Sequence, residues 1–313
     1  MPKLVCVIIP TWNGRAFLAY CLPAVAAQLG AEAELVVVDN GSQDGTADWL
    51  AQHFPRVRLL RNPTNLGFAV AVNQGIRATA SEFVVLLNDD TVVDDGWLAA
   101  LIQAAGSDPD VGMCACHILR ADAPHLFDSA GIEVDWAGVA WNRWAGDPAE
   151  THPGLEPEAV FGACGAAALY RRAMLDQIGL FDEDFFAYYE DVDLAWRARR
   201  AGWRCLYVPR ARLLHAHSGT GRRVPELKRY LIGRNKLWTL VKNYPLAWLC
   251  WRWPLILLID AAMAVGMALK ERNGASLRGR WDALRALPRF WRKRTPGAGE
   301  SAPLVAARPP WKM

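Results

Sequence analysis

Residues 83–91 read Phe83-Val84-Val85-Leu86-Leu87-Asn88-Asp89-Asp90-Thr91, five apolar residues followed at once by an amide and two carboxylates. An apolar run of this length that ends in turn formers predicts a strand buried on both faces. Leu4–Ile9, Glu34–Val38 and Val57–Leu60 are runs of the same kind. Stretches with helical spacing alternate with them at Phe17–Gln28, Asp44–His53, Phe68–Thr79 and Asp94–Ala105. This βαβα order predicts an α/β fold, with a mostly parallel sheet flanked by helices. The strands end in polar tips, Thr11-Trp12-Asn13-Gly14, Asp39-Asn40-Gly41-Ser42, Asn62–Asn65 and Asn88–Thr91. Such tips place the chemistry at the carboxyl edge of the sheet, where α/β proteins bind ligands.

Farther along, residues 121–158 lose periodicity and carry Trp136, Trp141 and Trp144, which reads as a hairpin or irregular insertion. Regular structure is expected again over Val160–Tyr170, Arg171–Ile178, Asp191–Ala201 and Arg204–Val208, and from Arg222 the pattern is helical and basic. Neither G-x-G-x-x-G nor G-x-x-x-x-G-K-[ST] occurs, so dinucleotide and P-loop readings lose their usual support. The seven cysteines contain no C-x-x-C pair, which points to reduced, structural thiols in a cytosolic chain. The opening MPKLVCVIIP runs directly into a Pro-Thr turn and reads as a first strand, not a signal peptide.

The formal charge of +3 hides a division. Residues 1–221 carry 16 basic and 27 acidic side chains, a net of −11, and residues 222–313 a net of +14. Seven of the fifteen tryptophans lie beyond residue 230. Leu246–Leu269 is 24 residues long and mostly apolar, but Arg252, Pro254 and Asp260 interrupt it. A central aspartate opposes insertion by about 2.5–3.5 kcal/mol. The expectation is therefore a helix lying in the interface, with Trp248, Trp251 and Trp253 at headgroup level. Residues 270–294 carry a net +7, with Leu284, Leu287 and Trp291 as an apolar stripe beside arginines. That pattern predicts binding to an anionic membrane surface. A nucleic-acid partner is not expected, given the acidic first part and the lack of an RNA-binding motif. The tail 295–313, rich in Pro, Gly and Ala, is expected to be disordered.

Several residues could carry chemistry. Asp89 and Asp90 offer hard oxygen ligands to Mg²⁺ or Mn²⁺, which such tips hold together with a substrate diphosphate; a solvated turn is the alternative. Asp39 could accept from a base or ribose, or form an Asx-turn. Asp191 begins a helix directly after Phe185, Phe186, Tyr188 and Tyr189. The helix dipole favours an anion there, either as a cap or as a general base. His215 or His217 could complete a metal site.

In order along the chain stand Ile8-Ile9-Pro10-Thr11-Trp12-Asn13-Gly14, Val37–Ser42 with Asp44-Gly45-Thr46, Asn65-Leu66-Gly67-Phe68 with Asn73, and Leu87–Thr91. Glu190-Asp191-Val192-Asp193-Leu194, Arg199–Trp203, His215 and Arg234-Asn235 follow. This ordered set, from Val7 to about Tyr244, resembles the family 2 glycosyltransferases, inverting enzymes of the GT-A fold. Within them it is similar to the rhamnosyltransferase-like branch that builds bacterial surface polysaccharides. The resemblance implies that Thr11, Trp12, Asn13 and Asp39 hold the base and ribose of a nucleotide-diphosphate sugar, with Asn65, Gly67 and Asn73 shaping that pocket. It implies that Asp90 and His215 ligate the metal near the diphosphate and that Asp191 is the catalytic base. Asn88 stands where many relatives carry the first Asp of the tip, so Asp89 is the substitute contact. Trp12 replaces the commoner Tyr.

The implied organisation is a catalytic domain over 1–221, split into a nucleotide-sugar half (1–118) and an acceptor half (119–221). A membrane-associating helical region over 222–294 and the tail 295–313 complete it. The implied enzyme moves rhamnose or a similar hexose from a dTDP- or UDP-sugar to a lipid-linked or polysaccharide acceptor, at the cytoplasmic face of the plasma membrane. The sequence leaves room for a homodimer. A catalytically silent, membrane-bound nucleotide-sugar-binding scaffold is the competing class.

Overall fold

The alternating apolar runs become strands because each side chain in them has a core to enter. The computed structural model describes residues 3–216 and 224–294, so His217, the tail 295–313 and the Trp248 side chain lie outside what is described. In chain order the first half comprises β1 (Val5–Thr11), α1 (Arg15–Ala26), β2 (Ala33–Asp39), α2 (Thr46–His53), β3 (Arg58–Arg61), α3 (Phe68–Arg77) and β4 (Phe83–Leu87). The four strands lie side by side in the order β3-β2-β1-β4 and all run parallel. Cys6, Ile8, Val36, Val38, Val84 and Leu86 enter one core, while Val5, Val7, Ile9, Val37, Val85 and Leu87 enter the other. Two covered faces explain why these strands read as continuous apolar runs and not as alternation.

Next come β5 (Thr91–Val93), α4 (Trp97–Gly106), β6 (Val111–Arg120), β7 (Ala123–Ser129), β8 (Ile132–Val134), β9 (Ala140–Asn142) and β10 (Glu158–Val160). β11 (Ala167–Arg171), α5 (Arg172–Ile178), α6 (Glu190–Arg200) and β12 (Arg204–His215) complete the sheet, with β11 inserted antiparallel between β4 and β6. β6 is nearly all buried, but its Gly112, Cys114, Ala115, Cys116 and His117 hide it from a search for β-branched runs. The insertion contains the expected hairpin, β8 with β9. β12 does not stop at Val208. It passes an irregularity before Arg212 and runs to His215, which lies opposite Thr91 of β5. That long strand carries His215 to the β4 tip.

Three helices follow, α7 (Pro225–Asn243), α8 (Leu246–Glu271) and α9 (Ala275–Arg292). α7 and α9 pack closely because Gly279 lies against the Tyr230 backbone, where a Cβ would come within 2.1 Å of a carbonyl oxygen. Phe290 stacks on Trp238 at 4.0 Å between ring centroids. Asp260 does not face lipid. It is buried in α8 and takes Lys236 of α7 at 3.0 Å and Arg280 of α9 at 2.6 Å, so it pins the three helices together. Of the expected interfacial tryptophans, Trp251 is 88% exposed, but Trp253 packs against the core. On α9, Leu277, Trp281, Leu284 and Trp291 are exposed, while Leu287 turns inward.

The basic charge of the last helices is partly spent inside the molecule. Lys242 bridges Asp182 and Asp193 at 2.8 and 2.9 Å, Lys293 bridges Asp182 and Asp184, and Arg289 pairs with Asp184. The opposed charges of the two parts thus dock them onto each other.

Candidate active site

At the carboxyl edge of the sheet lies a cavity of about 600 Å³. Thr11 and Trp12 from the β1 tip, Asn65, Asp89 and Asp90 from the β4 tip, Asp191 from α6 and His215 from β12 all line it. Parallel strands ending at one level explain why tips far apart in sequence meet there.

The two carboxylates of the β4 tip are not equivalent. Asp89 accepts from the Thr11 hydroxyl at 2.6 Å. It also lies against Gly14, where a Cβ would be 2.0 Å from its Oδ2 and would displace the Asp89–Thr11 pair. Asp90 is buried, with Oδ1 3.1 Å from His215 Nε2. On its other side His215 donates from Nδ1 to Asp128 Oδ2 at 2.7 Å. Burial works against a charged imidazole, but the hydrogen bonds and charges of Asp128 and Asp90 outweigh it and raise His215 to about 9. Among the described residues no group of three or more His, Cys, Asp or Glu is arranged to hold a metal ion. Asp90 and His215 nevertheless form a fitting pair: a carboxylate, and an imidazole whose second nitrogen is oriented by a carboxylate. A cation that takes its remaining ligands from phosphate oxygens and water needs no more from the protein.

Asp191 follows a strained loop. Phe186, Tyr188 and Tyr189 have φ of 66°, 66° and 69°, a region side-chain-bearing residues avoid. The loop is held from α7. Asn235 Nδ2 donates to the carbonyls of Phe185, Ala187 and Tyr188 at 2.9, 2.9 and 2.7 Å. Arg234 donates to those of Asp184 and Phe185. α6 then starts with Asp191 accepting from the Gly165 and Val192 amides at 2.9 and 2.8 Å. Burial raises the Asp191 carboxyl above the ordinary aspartate value despite these bonds. This runs against the expectation that the helix dipole would favour the ionised form. The Glu190 carboxyl is also raised, first by burial and then by the Asp191 charge, and its Oε2 is buried without a hydrogen-bond partner.

Four residues expected at the nucleotide pocket are not among those lining the cavity. Asn73 is committed to the fold: it donates to Phe181 O and Glu183 Oε1 and accepts from the Phe181 amide. Gly67 makes room for Phe186, whose ring a Cβ would meet at 2.6 Å. Asn13 ties the β1 tip to Ser42 and Gln43. Asp39 is buried and accepts from the amide of Ser42, three residues on, at 2.9 Å. Asp193 likewise belongs to the scaffold, its carboxyl lowered to about 2 by Lys242 and Arg197 against the effect of burial. Asp128, Glu190 and Trp141 join the site without having been singled out. Asp128 gives no local signal, because only the β6–β7 pairing brings it beside His215.

A mostly parallel sheet of this order, with a cavity at its carboxyl edge, has the GT-A arrangement. The solved structures agree. A GalNAc-T7 structure with UDP, GalNAc and Mn²⁺ superposes with a TM-score of 0.61 at 17% identity, over 77% of this chain and 48% of the other. The mannosyltransferase PcManGT from Pyrobaculum calidifontis, with GDP-Man and Mn²⁺, gives 0.56 at 20% identity over 94% and 86%. The signature of Glycosyl transferase family 2 matches residues 6–179, and the chain belongs to that family. It is 32% identical, over 71% of its own length and 79% of the relative's, to the N-acetylglucosaminyl-diphospho-decaprenol L-rhamnosyltransferase of Mycobacterium tuberculosis. The pre-mycofactocin glycosyltransferase of the same organism is 28% identical over 68% of this chain and 43% of its own.

Proposed function

We propose that this glycosyltransferase moves rhamnose, or a similar hexose, from a dTDP- or UDP-sugar to a sugar carried on a lipid diphosphate, inverting the anomeric centre. The observation that carries the reading is the convergence of Asp191 and the Asp90–His215 pair on one cavity. The relative that acts on a diphospho-decaprenol supports the acceptor class. Asp90 and His215 would hold Mg²⁺ or Mn²⁺, and such a cation stabilises negative charge on a departing nucleoside diphosphate. Thr11, Trp12 and Asn65 contact the donor, with Asp39 and Asn13 shaping the tip behind them.

Asp191 takes the proton of the acceptor hydroxyl as that oxygen attacks the anomeric carbon. A raised carboxyl suits this task, because a base works best when its pKa approaches the working pH. A single displacement needs no carboxylate nucleophile, so the product carries the opposite anomeric configuration.

We also propose peripheral membrane association through the outer faces of α8 and α9, on the cytoplasmic side. Leu258 and Leu269 of α8 are 67% and 75% exposed, and Leu249–Lys270 is long and apolar enough to cross a bilayer. On this reading the chain comprises a catalytic part, 1–221, and a membrane-associating part, 222–294, whose first helix also reaches the cavity.

The test is a donor panel with Mg²⁺ and Mn²⁺, reading nucleotide release and product configuration. Asp191→Asn should bind the donor normally and lose transfer. Retained turnover in that variant, or a retained anomeric configuration, would overturn the mechanism. Vesicle flotation with Trp251→Glu/Leu258→Glu tests the membrane claim, which fails if lipid binding persists undiminished.

A further inference from the structure

One wall of the cavity differs chemically from the rest. α7 contributes Leu227, Leu231 and Ile232 together with Lys228, and Val224 joins them from the residue that precedes it. These positions recur at i, i+3, i+4, i+7 and i+8 and form one helix face. A hexose wants a hydrogen-bond partner for nearly every hydroxyl, and aliphatic side chains supply none. An aliphatic wall with a cation matches the opposite kind of ligand, an alkyl chain with an anionic head. Among the described lining residues Lys228 is the only Lys or Arg. Its ammonium stands 5.6 Å from the centroid of the Tyr188 ring, three residues before Asp191. The cation therefore belongs to the side of the cavity where the acceptor hydroxyl is activated.

We propose that this face of α7 is the acceptor-lipid subsite, in which Lys228 pairs with the diphosphate of a polyprenyl-diphosphate-linked sugar and Leu227 and Leu231 contact its first isoprene units. The proposal rests on the glycosyl-transfer reading and assigns the lipid diphosphate of that reading to named residues of this chain. After Tyr244 and Pro245, α7 gives way to α8, whose exposed side carries Trp251, Leu255 and Leu258.

Two measurements test it. Direct binding of farnesyl diphosphate is followed with dTDP and Mn²⁺ at saturation, so that the donor's diphosphate position is already filled. Lys228→Glu should weaken this binding roughly 10-fold or more, and Leu227→Ser/Leu231→Ser should do so for farnesyl diphosphate but not for inorganic pyrophosphate. Transfer is then compared between farnesyl-diphosphate-linked N-acetylglucosamine and the methyl glycoside of the same sugar. The ratio of their kcat/KM values should favour the lipid diphosphate in the wild type and fall roughly 10-fold or more in Lys228→Glu. If farnesyl diphosphate binding and that ratio are both indifferent to the substitutions while transfer proceeds, the subsite is wrong and the transferase reading stands. If the substitutions weaken binding as expected but no donor yields transfer to either acceptor, the subsite stands and the reading fails. Loss of donor affinity in Lys228→Glu would assign the cation to the donor and overturn the proposal.

Discussion

Removing the Asn235 amide should cripple catalysis without emptying the donor site. The amide is fully buried and donates to three carbonyls of a loop in which three side-chain-bearing residues hold positive φ. Each such residue is strained by about 1–2 kcal/mol, so the loop stays in place only while its neighbours compensate. In Asn235→Ala two N–H donors vanish and buried acceptors lose their partners, a loss of about 1–3 kcal/mol for each group left bare. Arg234 still reaches the carbonyls of Asp184 and Phe185, so the upper end of the sum is not reached. A net of about 2–4 kcal/mol corresponds to a loss of roughly 30- to 1000-fold in the population that presents Asp191 correctly.

The assay is transfer kinetics beside calorimetric titration with the nucleoside diphosphate, since Thr11, Trp12 and Asn65 do not depend on this loop's carbonyls. kcat should fall at least about 30-fold while nucleotide affinity changes by less than about 3-fold. Asn235→Asp should be worse than alanine, because a carboxylate would then face three carbonyl oxygens. A kcat within about 3-fold of wild type in Asn235→Ala would refute the bracing argument.

Three further outcomes are expected. As the proposed base, Asp191 would act only when ionised, and burial raises its carboxyl, so kcat should fall with decreasing pH through an ionisation above the ordinary aspartate range; a profile flat down to about pH 4 would contradict this. His215 is raised to about 9 by its two carboxylates, and a metal ligand must lose that proton, so cation binding should release a proton and strengthen as pH rises toward that value. Asp128→Asn should shift that dependence to lower pH, which titration calorimetry in two buffers would reveal. For stability the sign is opposite. A raised folded-state pKa stabilises the metal-free protein fully below about 6.5, and the contribution is lost as pH rises through about 9. Finally, Asp260→Ala leaves Lys236 and Arg280 buried and unpaired, and should lower unfolding free energy by about 3–5 kcal/mol. Replacing all three residues with apolar ones should recover much of it, as chemical denaturation would show.

Much of the nucleotide half was readable because its cause is local. The runs before Thr11, Asp39 and Asn88 are apolar on both faces, and the polar residues that follow mark the edge where ligands bind. β6 escaped because a central strand can be built from Gly, Cys and Ala when neighbours on both sides bury it. Asp193 and Asn73 stand within motifs, yet they serve the scaffold. Only their partners, Lys242 and Arg197 for one and the Phe181 backbone for the other, distinguish that role from binding. Asp128 had no distinguishing neighbours at all.

The amino-acid sequence by itself determined the α/β order, the position of the chemistry at the strand ends and the division of charge between −11 and +14. It did so because periodicity, turn chemistry and charge are properties of neighbouring residues. The tertiary structure alone decided what the charge division does. Lys242, Lys293, Arg289 and Arg280 meet Asp193, Asp182, Asp184 and Asp260, so part of the basic excess holds the last helices in place. Asn235, more than forty residues after Asp191, holds the loop that presents it. A salt bridge or a buried amide has meaning only with its partner, and the partner's distance along the chain carries no information about its distance in space.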